Sequence, residues 1–109
     1  MGSQQSIADY IAGQLAGAGV AARKMFGEFG LFAEGKMVAL ICDDQLYVKP
    51  TAAGRAFLGE FLEGQPYPRA KLHFLIPAER WEDSEWLTRL ISLTAAELPP
   101  PNKKVRKSR

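Results

Sequence analysis

The sequence holds a single cysteine, Cys42, and a single histidine, His73, in 109 residues. One cysteine excludes an internal disulfide, so the fold must rest on packing, which suits a reducing compartment. One residue of each type also excludes an all-protein zinc site of the usual Cys/His kind, which needs four ligands. No run approaches the roughly 18 apolar residues of a membrane span, and the N-terminus lacks the basic start and long apolar stretch of a secretory signal. The expectation is a cytoplasmic protein with no membrane association. At 12.0 kDa there is room for one domain, and 47% hydrophobic residues suffice for one core.

The net charge of +2 hides an asymmetry. Five of the fourteen bases, Lys103, Lys104, Arg106, Lys107 and Arg109, fall in the last seven residues with no acid among them. The rest of the chain sets nine bases against twelve acids, a net of −3, so the body has no evident attraction for phosphate. Pro99, Pro100 and Pro101 cannot continue a helix, and little apolar surface follows them. The division expected is a domain over residues 1–98 and a disordered, proline-rich basic tail over 99–109. Those five cations are the candidate nucleic-acid contacts, weak and without sequence readout.

Within the body, Ser6-Ile7-Ala8-Asp9 has the spacing of a capping box, and Ile7, Ile11, Leu15 and Ala18 recur at helical intervals, predicting a helix over residues 5–18. From Arg23 to Pro50 the character turns to Phe, Val, Leu, Ile and Tyr, broken by Glu34-Gly35 and Asp43-Asp44. That is a three-stranded antiparallel meander with turn chemistry between its strands. Met37-Val38-Ala39-Leu40-Ile41-Cys42 is apolar at both alternations, which places it centrally with Leu40 buried, whereas residues 45–49 alternate and read as nearer an edge. A short helix fits residues 51–62, a fourth strand fits 71–76, and Asp83 or Ser84 can cap a last helix whose stripe is Leu87, Leu90, Ile91, Thr94 and Leu98. Without a repeated βαβ unit, the fold class is α+β, an antiparallel sheet carrying N- and C-terminal helices.

Several patterns resemble chemistry. Gly30-Leu31-Phe32-Ala33-Glu34-Gly35-Lys36 spells the first seven positions of a P-loop, but Met37 stands where a hydroxyl should hold magnesium and the segment enters a strand. A hairpin turned by Gly35 is the better reading. Met1-Gly2-Ser3-Gln4-Gln5-Ser6 fits an N-myristoylation pattern, and the same letters also cap a helix. Cys42 and His73 could form a nucleophile pair only if their strands lie side by side; core packing for the cysteine and a solvent-facing strand position for the histidine are favoured. The acids Glu79, Glu82, Asp83 and Glu85 gather where the last helix begins, where its dipole stabilises negative charge. No catalytic, metal or cofactor site is therefore assigned.

Residues Arg23-Lys24-Met25-Phe26-Gly27-Glu28-Phe29-Gly30-Leu31-Phe32 resemble the N-terminal domain of the TfoX (Sxy) competence regulators, in the arginine, the Met-Phe-Gly triplet and the following glycine. The likeness continues through Gly35-Lys36-Met37, Leu46-Tyr47-Val48-Lys49, the Phe74 strand ending at Pro77-Ala78-Glu79 and the late acidic helix start, over roughly residues 7–98. It implies a strongly bent antiparallel sheet, no known cofactor and, for the two-domain members, a regulatory role in competence. The expectation for this chain is a sheet of about four to five strands and a non-catalytic regulatory protein-interaction module linked to transcription or competence, with a small ligand-binding or enzymatic domain as the lesser alternative. The chain stops where the second domain of the two-domain members would begin. The resemblance supplies no catalytic or DNA-contacting residue for Arg23 or Lys49. The partners expected are a protein of the transcription machinery and, through the tail, nucleic acid; a homodimer is expected from the near-edge strand.

Overall fold

A computed structural model describes residues 5–25 and 27–99. The lipidation pattern at the N-terminus falls largely outside them, and the five candidate tail cations fall outside them entirely. Helix α1 (Gln5–Gln14) runs into a 3₁₀ turn (Ala16–Ala18) closed by Gly19 at φ 68°. Ser6 lies inside α1, not at its cap, and Asp9 instead accepts from the Gln5 amide at 3.0 Å. Four strands follow as a meander, β1 (Val20–Met25), β2 (Glu28–Ala33), β3 (Lys36–Cys42) and β4 (Gln45–Val48). After helix α2 (Ala52–Leu58) come β5 (Leu62–Gly64), β6 (His73–Ile76) and helix α3 (Ser84–Glu97).

The strands form one antiparallel sheet of six in the order β1-β2-β3-β4-β6-β5, so the fold is α+β as expected, with more strands than expected. Two tight turns account for the meander. Glu34 and Gly35, at φ 55° and 78°, link the Ala33/Lys36 pair, and Asp43 and Asp44, at φ 55° and 60°, link Cys42 to Gln45. Two consecutive positive φ values are the mark of a hairpin turn whose twist matches the strands. Gly35 therefore turns a hairpin, and the P-loop reading fails. A third hairpin, through Gly27 at φ 83°, splits into β1 and β2 what the sequence suggested was one strand.

The placement of β4 corrects an expectation: β6 pairs along its free side, from Leu46/Ile76 to Val48/Phe74, so β4 is interior and the edges are β1 and β5. Residues 45–48 are therefore paired on both sides and do not offer the free edge from which a homodimer was expected. Between β2 and β3 the register skips a residue, Leu31 facing Ala39 but Phe32 facing Met37. Val38 is the extra residue of a bulge, and its carbonyl accepts from the Lys49 amide at 3.0 Å. Bulges sharpen the local bend, and here Val38 and Ala39 are both fully buried.

One face of the sheet carries the core. Leu31, Ile41, Leu46, Val48, Phe74 and Ile76 pack there against Ile11 and Leu15 from the N-terminal helical segment and Leu87, Leu90 and Ile91 of α3. Asp83 caps α3 by accepting from the Trp86 amide at 3.1 Å, as its position suggests. At the other end of α3, the Lys36 Nζ donates to the carbonyls of Ala95 at 2.7 Å and Leu98 at 3.2 Å, groups that have no intrahelical partner. Helix α2 begins at Thr51, whose Oγ1 accepts from the Gly54 amide, while the Glu97 carboxylate accepts from Ala52 and Ala53. These two bonds hold Glu97 below the usual carboxylate range. Gln14 ties the two ends of the domain together: its amide donates to the Trp81 carbonyl at 2.8 Å, and its carbonyl accepts from Ser84 Oγ at 2.6 Å.

Candidate functional site

Paired strands put directly opposed residues on one face, so the register identifies what the helices leave uncovered. Gly30, Leu40, Tyr47 and Leu75 form one row across β2, β3, β4 and β6. The residues two along on the same strands belong to the same face, among them Glu28, Phe32, Cys42, Lys49 and His73, and Met25 of β1 joins them as the partner of Glu28. An antiparallel sheet covered on one side normally turns polar residues to the other. Here the outward positions of β3 are Met37, Leu40 and Cys42, and the twist and bulge fold them into a concavity of about 720 Å³. The loop between β5 and β6 supplies one wall through Pro66, Tyr67 and Lys71, and Leu98 closes the side next to α3.

This geometry corrects the place given to Leu40. It is half-buried and lines the concavity, because the apolar character on both alternations of β3 reflects two different surfaces, one core and one open. Gly30 makes room at the floor. A Cβ there would lie 2.9 Å from Met25 Sδ, 3.0 Å from Phe32 Cε1 and 3.3 Å from Met37 Cε. The Arg23 guanidinium stands 5.1 Å over the Phe32 ring on the same face. The floor is thus built from flexible thioethers that can adapt to an occupant.

The charged groups are unevenly spread along the wall. Lys49, Lys71 and His73 occur on it together, and Glu28 lies with Cys42 in another row, its carboxylate accepting from the Asp43 amide at 3.2 Å. His73, with Gly64 of β5 paired opposite it, is 6% exposed, not solvent-facing as its strand position suggested. Burial lowers its pKa against the opposing effect of a 2.9 Å contact between Nδ1 and the Lys71 carbonyl, and the two lysines lower it further. Neutral imidazole with the proton on Nδ1 satisfies that contact. Cys42 is buried, and its thiol is pushed up to about 11 by burial, then by Glu28 and Asp43. A protonated thiol is a poor nucleophile at neutral pH.

Cys42 and His73 line the same concavity but do not form a pair. Strand β4 lies between them, and Cys42 opposes Gln45 while His73 lies beyond the Val48/Phe74 pair. Two strand spacings and four residues of offset separate them by on the order of 15 Å along the sheet. Among the described residues no group of three or more His, Cys, Asp or Glu side chains could hold a metal ion. The four acids near α3 are all exposed, and Asp83 serves as the cap. Among the described residues no helix is long and apolar enough to cross a membrane.

Met25, Met37, Tyr67 and Lys71 line the concavity without any motif in the sequence that marks them as site residues. The signal available for this face was β3 itself, apolar where a half-covered strand should alternate.

Residues 13–98 match the TfoX N-terminal domain. The chain belongs to that family. A relative from Spirochaeta aurantia, described as an uncharacterized 12.7 kDa protein in the trpE 5' region, is 36% identical over 86 residues, covering 79% of this chain and 74% of the relative. The segment that carries the family likeness, residues 23–32, supplies part of β1 and all but the end of β2, and with them Met25, Glu28 and Gly30 of the uncovered face.

Proposed function

We propose that this TfoX N-terminal domain is a non-catalytic regulatory module that docks a segment of another protein, one of the transcription machinery, on the uncovered face of its sheet. The observation that carries the reading is the outward row of β3, where Met37, Leu40 and Cys42 line an open concavity in place of polar side chains. Apolar surface of this kind marks an interaction site. Among the described residues Cys42 and His73 do not pair as nucleophile and base, and Cys42 is held as a thiol, which favours binding over catalysis. Membership in a family named for competence regulators supports the regulatory role.

The test is Leu40→Asp in the full chain. Because Leu40 is half-buried on the open face, the variant keeps a cooperative thermal transition and loses its partners in affinity capture from the native host. Unchanged capture by a folded variant overturns the reading. The five tail cations favour a second use, weak binding of nucleic acid without sequence preference. A chain ending at Asn102 that retains all duplex affinity across a salt series disproves it.

A further inference from the structure

The docking face is polarised, and its polarity specifies what it takes. Lys49 and Lys71 both line the concavity, Lys49 half-buried and Lys71 exposed, and neither ammonium has an ion-pair partner among the described residues. Continuing the Val48/Phe74 pairing by one residue sets Lys49 opposite His73, and Lys71 stands two residues before it on the same side, so the three groups gather on one part of the wall. The floor away from them is Met25, Met37 and Leu40. At about 720 Å³ the space holds a few side chains, not a helix with its full diameter of roughly 10–12 Å. Tyr67, 55% exposed on the rim, extends the apolar surface beyond the hollow, as an extended chain passing across it would use.

Resting on the reading of this face as the docking site, we propose that the occupant is an extended peptide segment of a partner protein in which large apolar residues stand next to a carboxylate, the carboxylate seated between Lys49 and Lys71. Charge complementarity selects this occupant over two others. A second copy presents the same hollow, and two concave surfaces do not fill one another. A basic segment meets two unneutralised ammonium groups, and such like-charge contacts discriminate against wrong partners. Methionine floors accommodate varied apolar side chains, so the carboxylate contributes orientation and the apolar residues contribute contact area.

The experiment is selection of short random peptides displayed on phage against the immobilised full chain, in parallel against Lys71→Glu and the Lys49→Glu/Lys71→Glu double variant. The wild type enriches peptides that join Leu, Phe, Trp or Met to Asp or Glu. Those peptides bind Lys71→Glu on the order of tenfold more weakly, and the double variant enriches Lys or Arg in the acidic positions. Lys71 is exposed, so its variant remains informative even if Lys49→Glu disturbs folding. Methyl NMR of Met25 and Met37 locates the site. Enrichment without acidic residues, while the methionine signals shift, overturns the charge assignment and leaves the docking face standing. Selected peptides that leave the methionines unmoved overturn both, as does failure to enrich any peptide. Methionine shifts that follow protein concentration alone assign the face to a second copy and also overturn the proposal.

Discussion

Gly54 lies in α2 where the helix meets Phe74 of β6 and Leu90 of α3. A Cβ at this position would fall 2.8 Å from Thr51 Oγ1, 3.0 Å from Phe74 Cε2 and 3.6 Å from Leu90 Cδ1. Neither close neighbour can yield cheaply, since Thr51 caps α2 through Oγ1 and Phe74 is fully buried. For Gly54→Ala, overpacking costs about 1–3 kcal/mol, and disturbing the cap adds up to about 1. Alanine in place of glycine in a helix returns about 1 kcal/mol. The sum runs from about 0 to 3 kcal/mol of destabilisation, and its middle, about 1–2 kcal/mol, is the expected loss. At roughly 4–8 °C per kcal/mol for a domain of this size, Tm falls by about 4–16 °C. Gly13→Ala is the control, because a Cβ there meets nothing within 4 Å on the exposed side of α1, and the same propensity gain appears without the clash. Thermal denaturation followed by circular dichroism should lower the Tm of Gly54→Ala and raise that of Gly13→Ala. A Gly54→Ala protein melting at or above the wild type refutes the packing argument.

Lys36→Met removes the cation that bonds the Ala95 and Leu98 carbonyls, and urea unfolding should show a loss of about 1–2 kcal/mol with no change in any nucleotide interaction. Cys42 ionises near 9 when unfolded but near 11 when folded, so between these values the unfolded state binds fewer protons and stability falls as pH rises. Cys42→Ala should lose that alkaline component, and the native thiol should alkylate slowly at pH 7; rapid alkylation of folded protein contradicts the assignment. His73 has the opposite sign: its folded pKa lies below 6.5, the unfolded state takes up its proton first, and stability falls as pH drops from about 6.5 toward the folded value. His73→Asn should flatten that part of the profile while leaving the lower carboxylate range, where Glu97 is protonated, unchanged.

Most elements stabilised by neighbours in sequence were readable from it, the Ser6 capping box and the hairpin at Gly27 being the exceptions. The stripe from Leu87 to Thr94, the Asp83 cap and the turns at Glu34-Gly35 and Asp43-Asp44 depend on residues a few positions apart, and each is where the spacing put it. What depended on distant pairing was not readable. Nothing in residues 45–49 shows that a strand beginning at His73 will cover their free side, and β5 is only three residues long with two of them exposed. Leu40 shows the same limit at the site. An apolar residue looks alike whether it faces a core or an open hollow, and only the register with Gly30 and Tyr47 separates them.

The bonds from Gln14 to Trp81 and Ser84 span about two thirds of the chain, and they set a timetable for synthesis. The first half of the sequence can zip its hairpins as it leaves the ribosome, because each turn is local. The layer that shields Ile41, Val48 and Phe74 from water includes α3, which emerges after all six strands. Until then α1 lacks the anchor for its final turn, and the nascent sheet presents an oily surface on each side, one temporary and one permanent. A stalled or truncated product lacking residues 84–97 therefore leaves the core face bare and prone to aggregate, whereas the finished domain covers it and leaves the concave face open.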